Sequence, residues 1–302
     1  MSKFNFLIAA SFLLFLGCAS APQRDDYVKY VQPHKTIVNV VLNYKLDTTS
    51  LIDIRGEHLA DDSITGNQIL YQGGAGMAGF LGQIAAHSSI NNSQRNEKLS
   101  QAQIEANKIL KPIEEIVKQL NNSILLSETD VDIEGAGNVE GKLNSELQYI
   151  NTRPIFFVAP DFEHISIKNI VWIDASNGGK SKYYQNLIEV YSKHYTPEEK
   201  QLLTNGNDST FLLGELKNLY QQSILVVNRE IVGKYDLANM KNDSFKFNKA
   251  NFKRYIRGQK VDSFNSKVVI RNLRSWLLVL PCSEVTSKIE LECNLNPDSN
   301  KI

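Results

Sequence analysis

The chain predicts an α+β fold, a mixture of strands and helices with a Gly-rich helix near residues 73–90 and a β-hairpin at the C-terminal end. Three observations carry that class. Thr36–Leu46 (TIVNVVLNYKL) and His164–Ala175 (HISIKNIVWIDA) are rich in β-branched residues and read as strands. Thr196-Pro197-Glu198-Glu199 is a helix start, with an N-cap Thr, Pro at the first helical position and Glu three residues after the cap. Short strands and helices then interleave along the chain, which suits an α+β body of one or two domains.

The elements follow in order. Ala19–Lys35 is polar with two Pro and reads as a tether. Thr36–Leu46 is the first strand, and Asp47–Asn67 is weakly patterned. Glu97–Leu110 places Leu99, Ala102, Ala106, Ile109 and Leu110 on one stripe, an amphipathic helix. Pro112 marks a kink and the first turn of a further helix, whose apolar face is Ile113, Ile116, Val117, Leu120 and Ile124. Glu128, Asp130, Asp132 and Glu134 alternate as on a strand with an acidic face. Their start resembles a calcium-binding EF-hand loop, but the twelfth position, where a bidentate Glu belongs, is Gly141. Pro154–Val158 and Leu187–Tyr191 complete a second set of strands with His164–Ala175. Asp208-Ser209 caps a helix whose stripe is Leu212, Leu213, Leu216, Leu219 and Tyr220, running on toward Val227. Lys267–Ile270 is a strand. The regions 36–150 and 151–302 form an N-terminal and a C-terminal α+β part.

Gly73–Ala86 (GGAGMAGFLGQIAA) holds five of the seventeen Gly. Gly74 to Gly79 matches G-x-G-x-x-G, but no second strand ending in an acidic residue follows, so a dinucleotide site is not expected and no cofactor is assigned. Gly74, Ala78, Gly82 and Ala86 recur every four residues instead. Small residues at that spacing let one helix approach another backbone closely. Each Gly costs an isolated helix about 1 kcal/mol relative to Ala, so this helix needs contact to form. A buried core helix and a self-associating or membrane-dipping helix both remain open.

Composition bounds the class. Of 302 residues, 42% are hydrophobic and 22% charged, and 33 basic residues balance 33 acidic ones. No global field draws the chain to nucleic acid or anionic lipid. The five His form no His-x-x-x-His and none lies beside a Cys, so no metal is expected. Neither a Gly-x-Ser-x-Gly elbow nor Ser-x-x-Lys occurs, and no catalytic residue is assigned. Asn177-Gly178-Gly179-Lys180 follows a strand and reads as a hairpin turn.

The first eighteen residues are the most specific. Met1–Asn5 carries one Lys, Phe6–Phe15 (FLIAASFLLF) is unbroken apolar, and Leu16-Gly17-Cys18-Ala19 follows. A charged start, a run too short to span a bilayer and a small residue before the cut describe a secretory signal. Phe15-Leu16-Gly17-Cys18 resembles the lipobox of bacterial lipoproteins. Gly17 and Cys18 fit that pattern, while Phe15 and Leu16 stand where Leu and a small residue are usual. The resemblance implies cleavage before Cys18, acylation of Cys18, and, with Ala19 rather than Asp next, an outer-membrane destination facing the periplasm. Several acyl chains anchor stably. An oxidising compartment then makes Cys282 and Cys293, the two remaining Cys, a disulfide pair. A hairpin of Trp276–Cys282 with Ile289–Leu295 brings them opposite one another, and the closed ring adds about 3 kcal/mol on the chain-entropy model. The expected function is that of an envelope lipoprotein with a structural, assembly or partner-binding role. Its expected partners are the membrane through the anchor, and an envelope protein or a second copy, without nucleic acid. The alternatives are a cell-envelope hydrolase and a carrier or sensor of a small apolar ligand.

Overall fold

Ten strands form one mixed sheet among the residues the computed structural model describes, which are 29–32, 42–47, 49–57, 97, 100–126, 148–175, 182–205, 208–235, 241–249 and 252–288. In chain order they are β1 (Leu42–Lys45), β2 (Ile54–Gly56), β3 (Gln148–Val158), β4 (Ile165–Asp174), β5 (Lys182–Tyr191), β6 (Asp243–Lys249), β7 (Phe252–Phe264), β8 (Lys267–Asn272), β9 (Leu277–Pro281) and β10 (Val285–Thr286). Their spatial order is β1-β3-β4-β5-β9-β8-β7-β6-β10, with β2 also on β3. Two antiparallel meanders, β3-β4-β5 and β6-β7-β8-β9, are therefore joined by the parallel pair β5–β9. Helices α1 (Pro197–Thr204) and α2 (Thr210–Ile231) make the crossover between them. The α+β class is the observed one.

Local sequence accounts for the elements. The Thr196 side chain accepts from the Glu199 amide while the Glu199 carboxylate accepts from the Thr196 amide, so the expected capping box starts α1. At α2 the Asp208 carboxylate, rather than Ser209, accepts from the Thr210 amide at 2.9 Å. The α2 stripe runs past Val227 to Ile231, burying Leu212, Leu216, Leu219, Tyr220, Ile224, Val227 and Ile231 against β4 and β5. Asn265 and Ser266, with φ of 45° and 57°, turn β7 into β8. That pair of left-handed residues fits the twist of a two-residue hairpin. β4 and β5 pair antiparallel up to Asp174 opposite Lys182, as the hairpin at Asn177–Lys180 requires; residues 176–181 lie outside the described ones.

Beyond β5 the sheet curls. A flat sheet would set β6 four strands from β5, about 19 Å away. Yet the Tyr191 and Phe247 rings lie 4.9 Å apart, edge to face, and Arg254 of β7 reaches Glu189 of β5 at 3.1 Å. The strands from β5 to β10 thus wrap around a packed interior of Tyr191, Phe245, Phe247, Ile256, Ile270 and Leu278. The opposite face, under α2, holds the main core, including Phe156, Ile167, Val171, Leu216, Leu219 and Val279. Ile54, Ile113, Leu120 and Leu125 belong to that same core, so segments on both sides of residue 150 share it, and β3 itself spans that boundary.

Two expectations need correction, and a third lies partly outside the described residues. The helix with the face Ile113 to Ile124 is broken. Residues 100–106 are helical, Asn107–Ile113 is a 3-10 turn containing Pro112, and Glu114–Val117 and Ser123–Leu126 are single turns. Pro112 cannot donate to an α ladder, and Asn121 and Asn122 turn their side chains to the Ser123 amide and the Asp47 carbonyl, which ends it again. The arm Ile289–Leu295 of the expected C-terminal hairpin lies outside the described residues; within them Leu277–Pro281 pairs with β8 along 277–281 and with β5 along 277–279. Last, alternation along the predicted arm Trp276–Cys282 would put Trp276, Leu278, Leu280 and Cys282 on one face, and only the last three share one. Trp276 packs instead with Ile155, Phe157 and Leu187.

Gly56 is where β2 meets the 100–106 helix. A Cβ there would lie 1.9 Å from the Ala106 carbonyl oxygen, and the Gly56 backbone is held by Asn107 Oδ1 and Gln103 Nε2, each at 2.9 Å. Gly56→Ala is expected to destabilise the protein by about 1–3 kcal/mol by forcing backbones apart. An unchanged urea midpoint would show that this contact does not exist in solution.

Candidate functional site

The edge of β3 is interrupted, and the interruption makes a groove. β1 pairs with residues 148–151 of β3 and β2 with 156–158, both parallel. The chain from 46 to 53 therefore has eight residues to pass a stretch of β3, 152–155, that four would cover, and it loops outward. Pro154 explains the position. The Phe156 amide donates to the Asp53 carbonyl at 2.8 Å, so alternate β3 residues, Pro154 among them, turn their backbone toward this edge. Pro154 has no N–H to give it, and Pro is tolerated in a strand at such an edge.

The outward loop is built rather than loose. The Asp47 carboxylate accepts from the Thr49 amide at 3.1 Å, the Thr49 hydroxyl at 2.7 Å and the Ser50 hydroxyl, and these bonds hold its pKa below the usual range. Asn122 donates to the Asp47 carbonyl at 2.9 Å, and Ile52 donates to Leu120 at 3.0 Å. Asp53 is neutralised by Arg55 in a two-pronged pair at 2.7 and 2.6 Å. The resulting groove, about 670 Å³, is lined by Lys45, Asp47, Asp53, Arg153, Pro154 and Trp172 among others. Arg153 and Lys45 are exposed, with no ion-pair partner among the described residues. Leu51 stands on the rim, 58% exposed, and the buried Asn122 Oδ1 has no donor among the described residues. Such a surface offers two free cations, an aromatic wall and an apolar rim. It is an open groove of mixed lining between the N-terminal loop and β3, whereas a carrier of an apolar ligand would favour a dry cavity in the second half.

A second cluster sits where β5 ends. His164 Nε2 is 3.2 Å from Glu57 Oε2, the His164 ring is 5.9 Å from that of His194, and the His194 amide donates to Glu284 at 2.9 Å. Lys267 donates to the Tyr191 carbonyl at 2.7 Å; burial pulls its pKa down to about 8 against the opposing pull of Glu215 and Glu284. Two His and several carboxylates thus converge, but His164 is only 3% exposed, and the groove at β3 does not reach it. The cluster ties the β4 and β5 ends to the turn before β10.

Most residues singled out from sequence lie outside the described ones: Cys18, Gly74, Ala78, Gly82, Ala86 and Cys293, together with the acidic run 128–135. Cys282 is described, half-buried at the start of the turn Cys282–Glu284. Among the described residues no group of His, Cys, Asp or Glu is placed to hold a metal ion, and no helix is long and apolar enough to cross a membrane. The groove residues were missed. Their one sequence signal was Pro154 inside a strand pattern. No family model, curated protein or solved structure matches the chain.

Proposed function

We propose that the chain is a bacterial envelope lipoprotein, acylated at Cys18, whose folded body binds an envelope protein partner through the groove beside β3. The observation that carries the binding role is the opened sheet edge, with Arg153 and Lys45 uncompensated beside the half-buried Trp172 and the exposed Leu51. Paired anchors of this kind, an aromatic or Arg within an apolar rim, are where binding energy concentrates. The groove's volume admits two or three side chains of an extended acidic segment. The small-residue spacing of Gly74, Ala78, Gly82 and Ala86 supplies a further contact helix for a partner or a second copy.

The test has two arms. The mature N-terminus should have the mass of an acylated Cys18, and Cys18→Ala should move the protein out of the membrane fraction. A photo-crosslinking residue at position 51 should trap one partner in intact cells, and Arg153→Glu should abolish that product while leaving the melting temperature unchanged. An unacylated N-terminus removes the anchor; a crosslink indifferent to Arg153→Glu removes the groove.

The Cys282–Cys293 bridge belongs to the same proposal, and the half-buried place of Cys282 at the start of the turn Cys282–Glu284 supports it. Cys282→Ser is expected to cost about 2–4 kcal/mol in oxidised protein and nothing after reduction. Equal stability of the two forms under oxidising conditions would dismiss the bridge.

A further inference from the structure

The β6–β7 hairpin places three cations around one exposed tyrosine. On β7, Lys253, Tyr255 and Arg257 share the face opposite the curled interior, and on β6 Lys246 stands directly across from Tyr255. Cross-strand register fixes the rest: Asn248 faces Lys253 and Ser244 faces Arg257. Lys246 is thus diagonal to both other cations, about 7–8 Å away. None of the three has an ion-pair partner among the described residues, and Lys253 and Arg257 are exposed. Like charges at that spacing repel, and this chain balances 33 basic against 33 acidic residues overall. Among the described residues this cluster is left uncompensated, which favours an anion from outside. Apolar surface accompanies it: Tyr255 is 71% exposed, and Leu273, in the turn that follows β8, is 64% exposed.

The described N-terminal stretch leads to the same place. Val31 bridges Gln185 of β5 at 2.8 and 3.1 Å, and Tyr30 lies against Arg271, whose guanidinium is 5.7 Å from its ring. Arg271 pairs across the sheet with Gln259, two residues from Arg257. Ten residues lie between Cys18 and Lys29, so the reach is at most about 40 Å.

We propose that this face of the β6–β7 hairpin docks on an anionic phospholipid surface, the cations meeting phosphates while Tyr255 and Leu273 enter the headgroup layer. The proposal rests on the lipid-anchor reading, since acylation at Cys18 would hold this face beside a bilayer. Lys and Arg next to an acidic leaflet, with an aromatic at headgroup depth, are a known physical basis for such contact.

The test uses the mature chain made without acylation and two kinds of vesicle, one of phosphatidylcholine and one about a third phosphatidylglycerol. The chain should sediment with the acidic vesicles, and binding should fade at about 0.5 M salt, where screening is short-ranged. Each cation near such a surface is worth about a factor of five, so Lys246→Gln/Lys253→Gln/Arg257→Gln should weaken binding about a hundredfold. Tyr255→Ser should weaken it less and keep the salt dependence. All four side chains lie on a solvent face, and unchanged melting temperatures would verify folding. Equal binding to both vesicles, an unaffected triple variant, or tighter binding to a single-stranded oligonucleotide than to the acidic vesicles would overturn the proposal. Because the probe carries no acyl chain, its failure is separate from failure of the anchor, which the N-terminal mass decides.

Discussion

Arg271→Met is expected to destabilise the fold by about 3–5 kcal/mol, the cost of leaving a buried carboxylate without its cation. Arg271 donates to Glu230 Oε1 at 2.7 Å, and the two side chains are 5% and 3% exposed. The second carboxylate oxygen accepts from Asn186 at 2.8 Å and from the Tyr184 hydroxyl. Burial, with the Glu230 charge beside it, pushes the Tyr184 pKa well above the phenol range, so it remains a donor. Removing Arg271 leaves only neutral donors, Tyr184, Asn186 and Tyr30 among them, on a charge held between α2 and the sheet. The double variant Glu230→Leu/Arg271→Met should recover a large part of the loss, because it removes both charges. Some loss should remain, since Tyr184 and Asn186 then lack their acceptor. Urea unfolding of the four proteins closes the cycle. Additive losses, or a cost for Arg271→Met below about 1 kcal/mol, would mean the pair does not meet inside the protein.

The elements that were legible in the sequence are those whose signals are local. Thr196 and Glu199 sit three residues apart and make their capping bonds whatever the rest of the chain does. The HISIKNIVWIDA run became β4 because β-branched residues favour a pleated surface on either face. The place of Leu277–Pro281 inside the sheet follows from something no local pattern carries. LLVLP is apolar at every position, and all five residues are buried. An alternating hairpin arm needs only one buried face, whereas a run buried on both is the mark of an interior strand. β9 takes β5 as a parallel neighbour across a crossover of two helices, and that pairing is written in neither segment alone.

The polar interior was invisible for a related reason. Arg271 ends the run KVVIR, and Glu189 interrupts NLIEVY. Each reads as an outward residue of an alternating strand. Glu189 faces inward only because the sheet curls until β7 lies across from β5, and Arg271 lies under α2 only because that helix runs to Ile231. The groove beside β3 depends likewise on the lengths of two separated segments, eight residues against four, which register alone reveals.

That curl makes the second large effect testable by pH. Glu189 is 4% exposed within the curled half of the sheet, where Arg254 grips both its oxygens at 3.1 and 3.2 Å and the Tyr191 hydroxyl donates to it at 2.6 Å. Burial alone would raise its pKa. The Arg254 charge, then that of Lys168, and the hydrogen bonds from Arg254 and Tyr191 outweigh burial and bring it from 4.5 to about 2. A carboxylate depressed on folding contributes stability that is fully present above its unfolded pKa and is lost as pH falls through the folded one. Here the window runs from about 4.5 down to about 2, and the contribution is about 3 kcal/mol. Arg254→Leu removes the largest opposing charge and leaves burial in command, so the Glu189 pKa should rise above its unfolded value. The sign then reverses. The variant should be less stable than wild type by about 3 kcal/mol at neutral pH, and the gap should narrow on acidification as Glu189 takes up a proton. Adding Glu189→Gln to Arg254→Leu should restore much of the neutral-pH stability and remove the pH dependence of the difference. Unfolding curves at pH 7, 5 and 3 distinguish these outcomes. A gap between wild type and Arg254→Leu that stays constant across that range would show that Glu189 is not held by Arg254 across the curled sheet.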